Sequence, residues 1–298
     1  MAMVKSKTAG SKAVDILLVL FMVPVILLFV YPFLYIVLYS VSDISKLETP
    51  FLIYPVGFNV DSYTAILTDG GTFNAIIMSL ARCIIAPLGM LIVSGMMGYA
   101  LTRRDLIFGK AIRMYLLFSM YISAGMIPNY LNIKNLGLTN SFWVYVIPGL
   151  VSIFNVMLIK TYILSLPHEL EEAVKIDGGT EIDAYFRVIL PLCLPVNAAV
   201  VLFSVIGNWN SYFDVSMYNG AARNLHTLSY TLYLNLSAAQ NISLEKLQEA
   251  ARMGREIRVN KQSINMAMTV ITMVPPMCVY PLLRKYFASG LLIGAVKM

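Results

Sequence analysis

Long apolar runs constrain the fold of this chain more than any other feature of its sequence. A transmembrane helix needs about 20 apolar residues to cross the hydrocarbon core of a bilayer. Runs near that length predict spans at about 14–41, 73–101, 112–131, 142–159, 188–213 and 264–283. Only 13% of the residues are charged, whereas soluble domains average about 25%. We therefore predict an all-α integral membrane fold, with residues 1–298 forming one transmembrane domain of six helices.

The positions of the basic residues predict which side of the membrane each loop faces. The net charge is +6, but lysines and arginines lie mostly at the ends of apolar runs, which disfavours nucleic-acid binding. With the N-terminus in the cytoplasm, the short outer loops carry only Lys46 and Lys134. This predicts cytoplasmic N- and C-termini, an inner loop at 160–187 and a long extracellular loop at 214–261. The long loop is itself basic, but long loops influence orientation little.

Several classes of chemistry are disfavoured by what the sequence lacks. The cysteines have no CxxC spacing and the two histidines lie far apart, so we expect no metal site. No GxxxxGK(S/T) motif is present, so we expect no nucleotide and no other cofactor in this chain. No carboxylate lies inside the second to sixth predicted spans. This disfavours an ion-coupled transporter and an enzyme that works within the membrane.

An acidic stretch, Leu166–Pro195, interrupts the apolar pattern between the fourth and fifth spans. The acidic residues of its first turns, where the positive end of a helix dipole favours them, are Glu169, Glu171 and Glu172. Gly178 and Gly179 are suited to end this helix. Thr180 and Asp183 have the spacing of a capping box for a second helix. The stretch is therefore predicted to form a helix–turn–helix on the inner face of the membrane.

Two interpretations of this helix–turn–helix remain open. It is either a hairpin that only covers the helical bundle or a docking element for another protein. The acidic side chains favour docking, because the inner leaflet of the membrane is itself anionic.

The same stretch carries a resemblance to a known family. Glu172-Ala173-Val174, Gly178 and Val188-Ile189-Leu190-Pro191 resemble the EAA loop of ABC importer permeases, with Val174 replacing the second alanine and Val188 replacing isoleucine. Asp177-Gly178 is similar to the Asp-Gly of the sugar-importer branch. Segments that resemble the MalG-like branch, which imports complex oligosaccharides, lie at 123–128, 209–210 and 294–297.

The resemblance implies a fold, a function and a set of partners. The fold would be that of a type I ABC importer permease, with a cytoplasmic coupling-helix hairpin, in the bacterial cytoplasmic membrane. The chain would be a non-enzymatic subunit that translocates oligosaccharides. Its partners would be a second permease subunit, two ATPase subunits that dock at 166–179 and bind ATP and Mg, and an extracellular or periplasmic sugar-binding protein. The residues implied in ATPase coupling are Glu171, Glu172, Ala173, Asp177, Gly178, Leu190 and Pro191. The alternatives are an importer permease for a non-sugar solute, such as a polyamine, and a secondary transporter or channel.

Amide and aromatic side chains recur in and beside the predicted spans. They are suited to sugar hydroxyls and ring faces, but they also join helices or mark the membrane interface. The candidate substrate-path residues are Tyr121, Asn129, Asn155, Asn208, Trp209, Asn210 and Tyr212.

Two groups of arginines have alternative interpretations. Arg82 lies inside the second predicted span; we expect it to extend towards the outer headgroups, and the alternative is a contact with an anionic substrate. Arg252, Arg255 and Arg258 would share one helix face in the long outer loop. That face is either solvated, or docks the binding protein or favours acidic sugars such as uronates.

Overall fold

A computed structural model describes residues 9–47, 51–167, 169–239 and 261–295. Within these ranges the regular structure is helical and no β-strand occurs, which agrees with the all-α prediction; Ser42 and Phe58 form an isolated bridge. The arginine face at 252–258 lies outside the described residues, so its interpretations stay predictions.

The helices are numbered in chain order. The first are α1 (Ala9–Ser40), α2 (Asp61–Thr68), α3 (Gly70–Ala100), α4 (Gly109–Ser119), α5 (Met126–Asn135) and α6 (Ile153–Ile163). Those that follow are α7 (Glu169–Ile176), α8 (Glu181–Asp183), α9 (Leu190–Leu192), α10 (Leu194–Asn210), α11 (Phe213–Tyr218), α12 (Leu228–Ala239) and α13 (Lys261–Ala295). A π-helix, Ala184–Ile189, joins α8 to α9. Short 3-10 turns lie at Ile44–Lys46, Phe142–Tyr145, Ile147–Gly149 and Arg223–Leu225.

The chain forms two compact units, residues 1–68 with 236–271 and residues 69–235 with 272–298. In the first unit, the apolar run of α1 has no buried stretch of its own, as expected for a helix that faces lipid. In the same unit, the Ser62 hydroxyl donates to Ser263 Oγ at 3.0 Å, and both residues are buried.

The core of the second unit is built around α3, which packs against α6 and α10. Glycines on α3 allow neighbouring elements to pack closely. A Cβ at Gly95 would overlap the hydroxyl of Tyr185, which lies on the π-helix, and one at Gly98 would lie 3.2 Å from the carbonyl oxygen of Val156 on α6. The buried side chains that fill the cluster are Met90, Tyr99, Ile159, Ile163, Tyr185, Ile189, Cys193, Val196 and Val200.

The six-span prediction can be compared with the helices of the described residues. Among the described residues, two helices are long and apolar enough to cross a membrane, Val14–Ser40 and Gly70–Ala100. Two bent pairs would raise the number to four: Phe142–Gly149 with Ile153–Ile163, bent by 44°, and Glu181–Leu192 with Leu194–Asn210, bent by 79°. The first two predicted spans are therefore continuous helices, and the six-span count is not confirmed.

The third predicted span, 112–131, is broken into α4 and α5. Gly125 has φ +88°, a backbone conformation outside the right-handed helical region, and the helix restarts at Met126. Pro128 then lies in the first turn of α5, where its missing N–H leaves no hydrogen bond unmade. The apolar composition of this segment concealed a turn that its glycine and proline specify.

Candidate functional site

The acidic stretch folds as the predicted helix–turn–helix, which we call the acidic hairpin (residues 166–191). Gly178, with φ +79°, ends α7 in the left-handed conformation that glycine adopts most easily. The Gly179 N–H donates to the Val174 carbonyl at 2.9 Å and the Gly178 N–H to the Lys175 carbonyl at 3.1 Å. This pair of hydrogen bonds is a Schellman motif, which satisfies the last carbonyls of a helix.

The second helix of the acidic hairpin starts with the predicted capping box. The Asp183 N–H donates to Thr180 Oγ1 at 3.2 Å, and the Thr180 N–H donates to the Asp183 carboxylate at 3.0 Å. The chain then continues through the π-helix and α9, which carries Leu190 and Pro191. Tyr185 and Ile189 are buried against α3 and α6 in the core cluster. The hairpin is therefore continuous with the packed helices, not a loose loop.

Arg103, in the loop that follows α3, joins both helices of the acidic hairpin. Its guanidinium forms ion pairs with Glu171 on α7 and with Glu181 on α8. It also lies 5.5 Å from the ring centre of Tyr99, and the Tyr99 hydroxyl donates to Glu181 at 2.9 Å. Lys175 adds an ion pair to Glu181 at 2.9 Å. We call these five residues the Arg103 cluster.

The Arg103 cluster could not be predicted from the sequence. Arg103 is separated by 68 residues from Glu171 and by 78 residues from Glu181. In the sequence Arg103 belonged only to the basic residues that orient the spans. Glu171 is 8% exposed on a short and otherwise open helix, but this burial is a property of the fold and has no local signal in the sequence.

The charges of the Arg103 cluster fix the ionisation of Glu181. Burial raises the pKa of Glu181, but hydrogen bonds from Lys175 and Tyr99 and the positive charge of Arg103 outweigh burial, so the pKa lies below its ordinary value. The pKa of Asp183 is also lowered, because the Thr180 hydroxyl and N–H donate to its carboxylate. Both carboxylates are therefore charged at neutral pH.

The outward face of α7 is mixed acidic and apolar. Glu172, Ala173 and Asp177 are exposed, and the side chain of Ile176 is 85% exposed. Glu171 points the other way, towards Arg103. Of the predicted coupling residues on α7 and in the turn that follows it, Glu172, Ala173 and Asp177 are thus accessible to another protein, and Glu171 holds the helix in place.

A second arginine cluster corrects the interpretation of Arg82. We expected its side chain to extend to the outer headgroups, but only 5% of it is exposed. The guanidinium forms a two-point ion pair with Asp214, donates to Asn208 Oδ1 at 2.9 Å and lies 4.6 Å from the ring centre of Tyr145. The snorkelling interpretation is wrong because the chain supplies its own carboxylate, which lies just beyond the predicted fifth span. We call Arg82, Asn208, Asp214 and Tyr145 the Arg82 cluster.

The Arg82 cluster forms one wall of a recess of about 550 Å³. Two of the candidate path residues, Asn129 and Asn208, line this recess. Asn155 and Trp209 are buried in helix contacts, Tyr121 and Asn210 are exposed at helix ends, and Tyr212 stacks on Tyr233. The structure therefore brings together a part of the predicted path.

Within the described residues no group of histidine, cysteine and carboxylate side chains could hold a metal ion. No family model matches the chain.

Three similar proteins span nearly the whole chain. The polygalacturonan/rhamnogalacturonan transport system permease protein YtcP of Bacillus subtilis (strain 168) is 30% identical over 285 residues, 95% of this chain and 98% of that protein. Protein LplC of the same organism is 32% identical over 295 residues, 97% of each chain. The arabinooligosaccharides transport system permease protein AraQ of B. subtilis is 25% identical over 95% of each chain.

A solved structure resembles the fold over a similar length. It is a chain from the crystal structure of a bacterial ABC transporter involved in the import of the acidic polysaccharide alginate, with a TM-score of 0.85. The similarity covers 95% of this chain and 99% of that chain at 23% sequence identity. The fold of that chain and the fold described above are thus the same.

Proposed function

The chain belongs to the permease family of carbohydrate ABC transport systems, and we propose that it forms one half of an ATP-driven import path for oligosaccharides. A second permease subunit would form the other half, and a sugar-binding protein would deliver the substrate from outside the cell. Saccharides are the substrate class in the names of YtcP and AraQ. We propose acidic as well as neutral oligosaccharides as cargo of the complete transporter, because the name of YtcP includes polygalacturonan.

We place the acidic hairpin in the cytoplasm as the docking element for ATPase subunits. This proposal rests on one observation: α7 exposes an acidic and apolar face, while its opposite side is held by the ion pair between Glu171 and Arg103. Ile176, 85% exposed, would enter an apolar depression on the ATPase, while Glu172 and Asp177 beside it would meet basic groups. Two ATPase subunits would bind ATP and Mg. One of them would dock at residues 166–179 of this chain, and the other would dock on the partner permease.

The Arg103 cluster would carry the ATPase movement into the membrane. One connection is the chain itself, through the second helix of the hairpin into α10. The second connection is Arg103, which ties α7 and α8 to the end of α3. Because α3 and α10 pack against each other, a rigid displacement of the hairpin would move both together. The chain then needs no catalytic residue of its own, since the energy arrives mechanically.

A charge placed on the docking face tests this proposal. In the assembled transporter reconstituted into liposomes, Ile176→Glu should lower ATP-dependent oligosaccharide uptake at least tenfold and reduce the ATPase that co-purifies with the permeases. The matched control is Ile107→Glu, at an apolar side chain that is 77% exposed in the loop after α3. Normal uptake in the Ile176 variant, or equal losses in both variants, would contradict docking through α7.

A further inference from the structure

The recess beside the Arg82 cluster has the size and lining of a small ligand site. Its volume of about 550 Å³ lies within the range of about 300–1,000 Å³ that is usual for such sites. Apart from the Arg82–Asp214 pair, the lining is uncharged: apolar side chains together with Asn129, Asn132, Asn208, Tyr145 and Tyr218. All of it belongs to the second compact unit.

Two amides on α5 face the recess without a partner in the described chain. Asn129 and Asn132 are both exposed, and neither side-chain amide is hydrogen-bonded to another described residue. An amide offers two donors and an acceptor, so the pair can serve several hydroxyl groups. Tyr218 stacks on Tyr130, with ring centres 6.0 Å apart, and adds an aromatic surface at the same wall.

In the Arg82–Asp214 pair, the carboxylate is partly exposed to the recess and the guanidinium is buried. The Arg82 side chain is 5% exposed, because its donors are directed to Asp214 and Asn208 and Tyr145 covers one face. The Asp214 side chain is 26% exposed. Its Oδ1 accepts from Arg82, Ser211 and the Val215 N–H, whereas its Oδ2 accepts from Arg82. A carboxylate oxygen has two lone pairs, so Oδ2 retains capacity for one more donor.

We propose that this recess binds one uncharged, hydroxyl-rich sugar ring and disfavours a uronate at the same position. Sugar hydroxyls would donate to Asp214 Oδ2 and bond to the amides of Asn129 and Asn132. A uronate carboxylate would instead approach Asp214, which is the exposed charge of the pair, and like charges in a partly buried site repel strongly. The cation that would compensate, Arg82, is already paired and desolvated.

This inference rests on the proposed function and makes it more specific. The complete transporter would accept an acidic oligosaccharide only if this recess receives one of its neutral sugar units, or if the partner permease holds its charged units. The recess would thus be a specificity-determining subsite of this half of the path. It would disfavour an anionic sugar, whereas a pocket with an unpaired arginine would favour one.

Protection of a cysteine in the recess tests the proposal. The assembled transporter carries Leu136→Cys, at an exposed side chain that lines the recess at the C-terminal end of α5 and is not a proposed sugar contact. It is treated with N-ethylmaleimide, and labelling of the peptide that contains position 136 is followed by mass spectrometry. The probes are α-1,4-linked galactotriose and trigalacturonate, which differ only at C6. Galactotriose at 20 mM should slow labelling at least threefold, and trigalacturonate should leave it unchanged. The control is Asn135→Cys, exposed on the same helix but outside the recess, which neither sugar should protect.

The outcomes separate this inference from the proposed function. Equal protection by both sugars, stronger protection by trigalacturonate, or no protection by either would overturn the neutral-ring site. ATP-dependent uptake of the same two sugars by the unmodified transporter is measured in parallel. Uptake without protection would leave the proposed function standing and reject the recess, whereas protection without uptake would do the reverse.

Discussion

Two arginines, one within α3 and one just beyond it, meet carboxylates from distant parts of the chain in different surroundings. The Arg82 side chain is 5% exposed and its partner Asp214 26%, within a wall of apolar helices. The Arg103 side chain is 16% exposed; the side chain of its partner Glu181 is 47% exposed, and that of its partner Glu171 is 10% exposed. The same pairing of an arginine with distant carboxylates therefore occurs within α3 and in the loop that follows it.

The difference in burial indicates a difference in role. A buried ion pair contributes little net stability, yet removing one partner is costly because the other charge remains without water. The Arg103–Glu181 pair is cheaper to break and re-form, because its carboxylate is half-exposed and water can replace Arg103 there. The Arg82 cluster is thus suited to hold one arrangement of the helices. Arg103 can keep its buried pair with Glu171 while its pair with Glu181 breaks and re-forms, as a joint that transmits movement requires.

The largest effect is expected at the buried arginine. Arg82→Met leaves Asp214 without its cation and should destabilise the fold by about 3–5 kcal/mol. Thermal unfolding of the purified transporter should show a clearly lower midpoint and a lower folded yield. Adding Asp214→Asn should restore most of the loss, because the unpaired charge is then gone. If the Arg82→Met variant is as stable as the unsubstituted protein, the Arg82 cluster does not hold the helices in one arrangement.

The second effect concerns function more than stability. Arg103→Gln removes the charge that joins the acidic hairpin to α3, so uptake should fall about tenfold while ATP hydrolysis by the complex continues. The readout is the ratio of sugar transported to ATP hydrolysed. Arg103→Lys should recover part of that ratio, because a cation remains near both carboxylates.

The neighbouring residue provides the control for this prediction. Arg104 carries the same charge in the same loop, and no ion pair of its side chain occurs within the described residues. Arg104→Gln should therefore leave the ratio unchanged. A joint loss of uptake and hydrolysis in the Arg103 variant would indicate a structural role like that of Arg82, and the two regions would no longer differ.

Features set by neighbouring residues could be predicted from the sequence, and contacts between distant residues could not. The two glycines and the Thr180–Asp183 spacing specified the turn and the cap of the hairpin, because both depend on a few adjacent dihedral angles. The spacing from Glu172 to Pro191 indicated the family before any fold was known. By contrast, Asp214 lies one residue beyond the predicted fifth span, and only tertiary packing brings it to Arg82.

The predicted substrate path shows the same limit. Composition alone does not distinguish an amide that faces a recess, such as Asn129, from a polar side chain that joins helices, such as Trp209, whose indole N–H donates to the Thr272 carbonyl at 2.8 Å. The break between α4 and α5 was likewise hidden by apolar side chains on both sides of Gly125.

The smallest effect is a pH dependence confined to the Arg103 cluster. The pKa of Glu181 is lowered in the folded chain, so the stabilisation it provides is complete above the unfolded value of about 4.3 and is lost as the pH falls through the folded value. Amide hydrogen exchange of α7, corrected for intrinsic rates, should therefore accelerate as the pH is lowered from 5 towards 3. Exchange at the buried Arg82 cluster should change less over the same range. Glu181→Gln should flatten the response of α7, and an unchanged response in that variant would assign the pH dependence to another carboxylate.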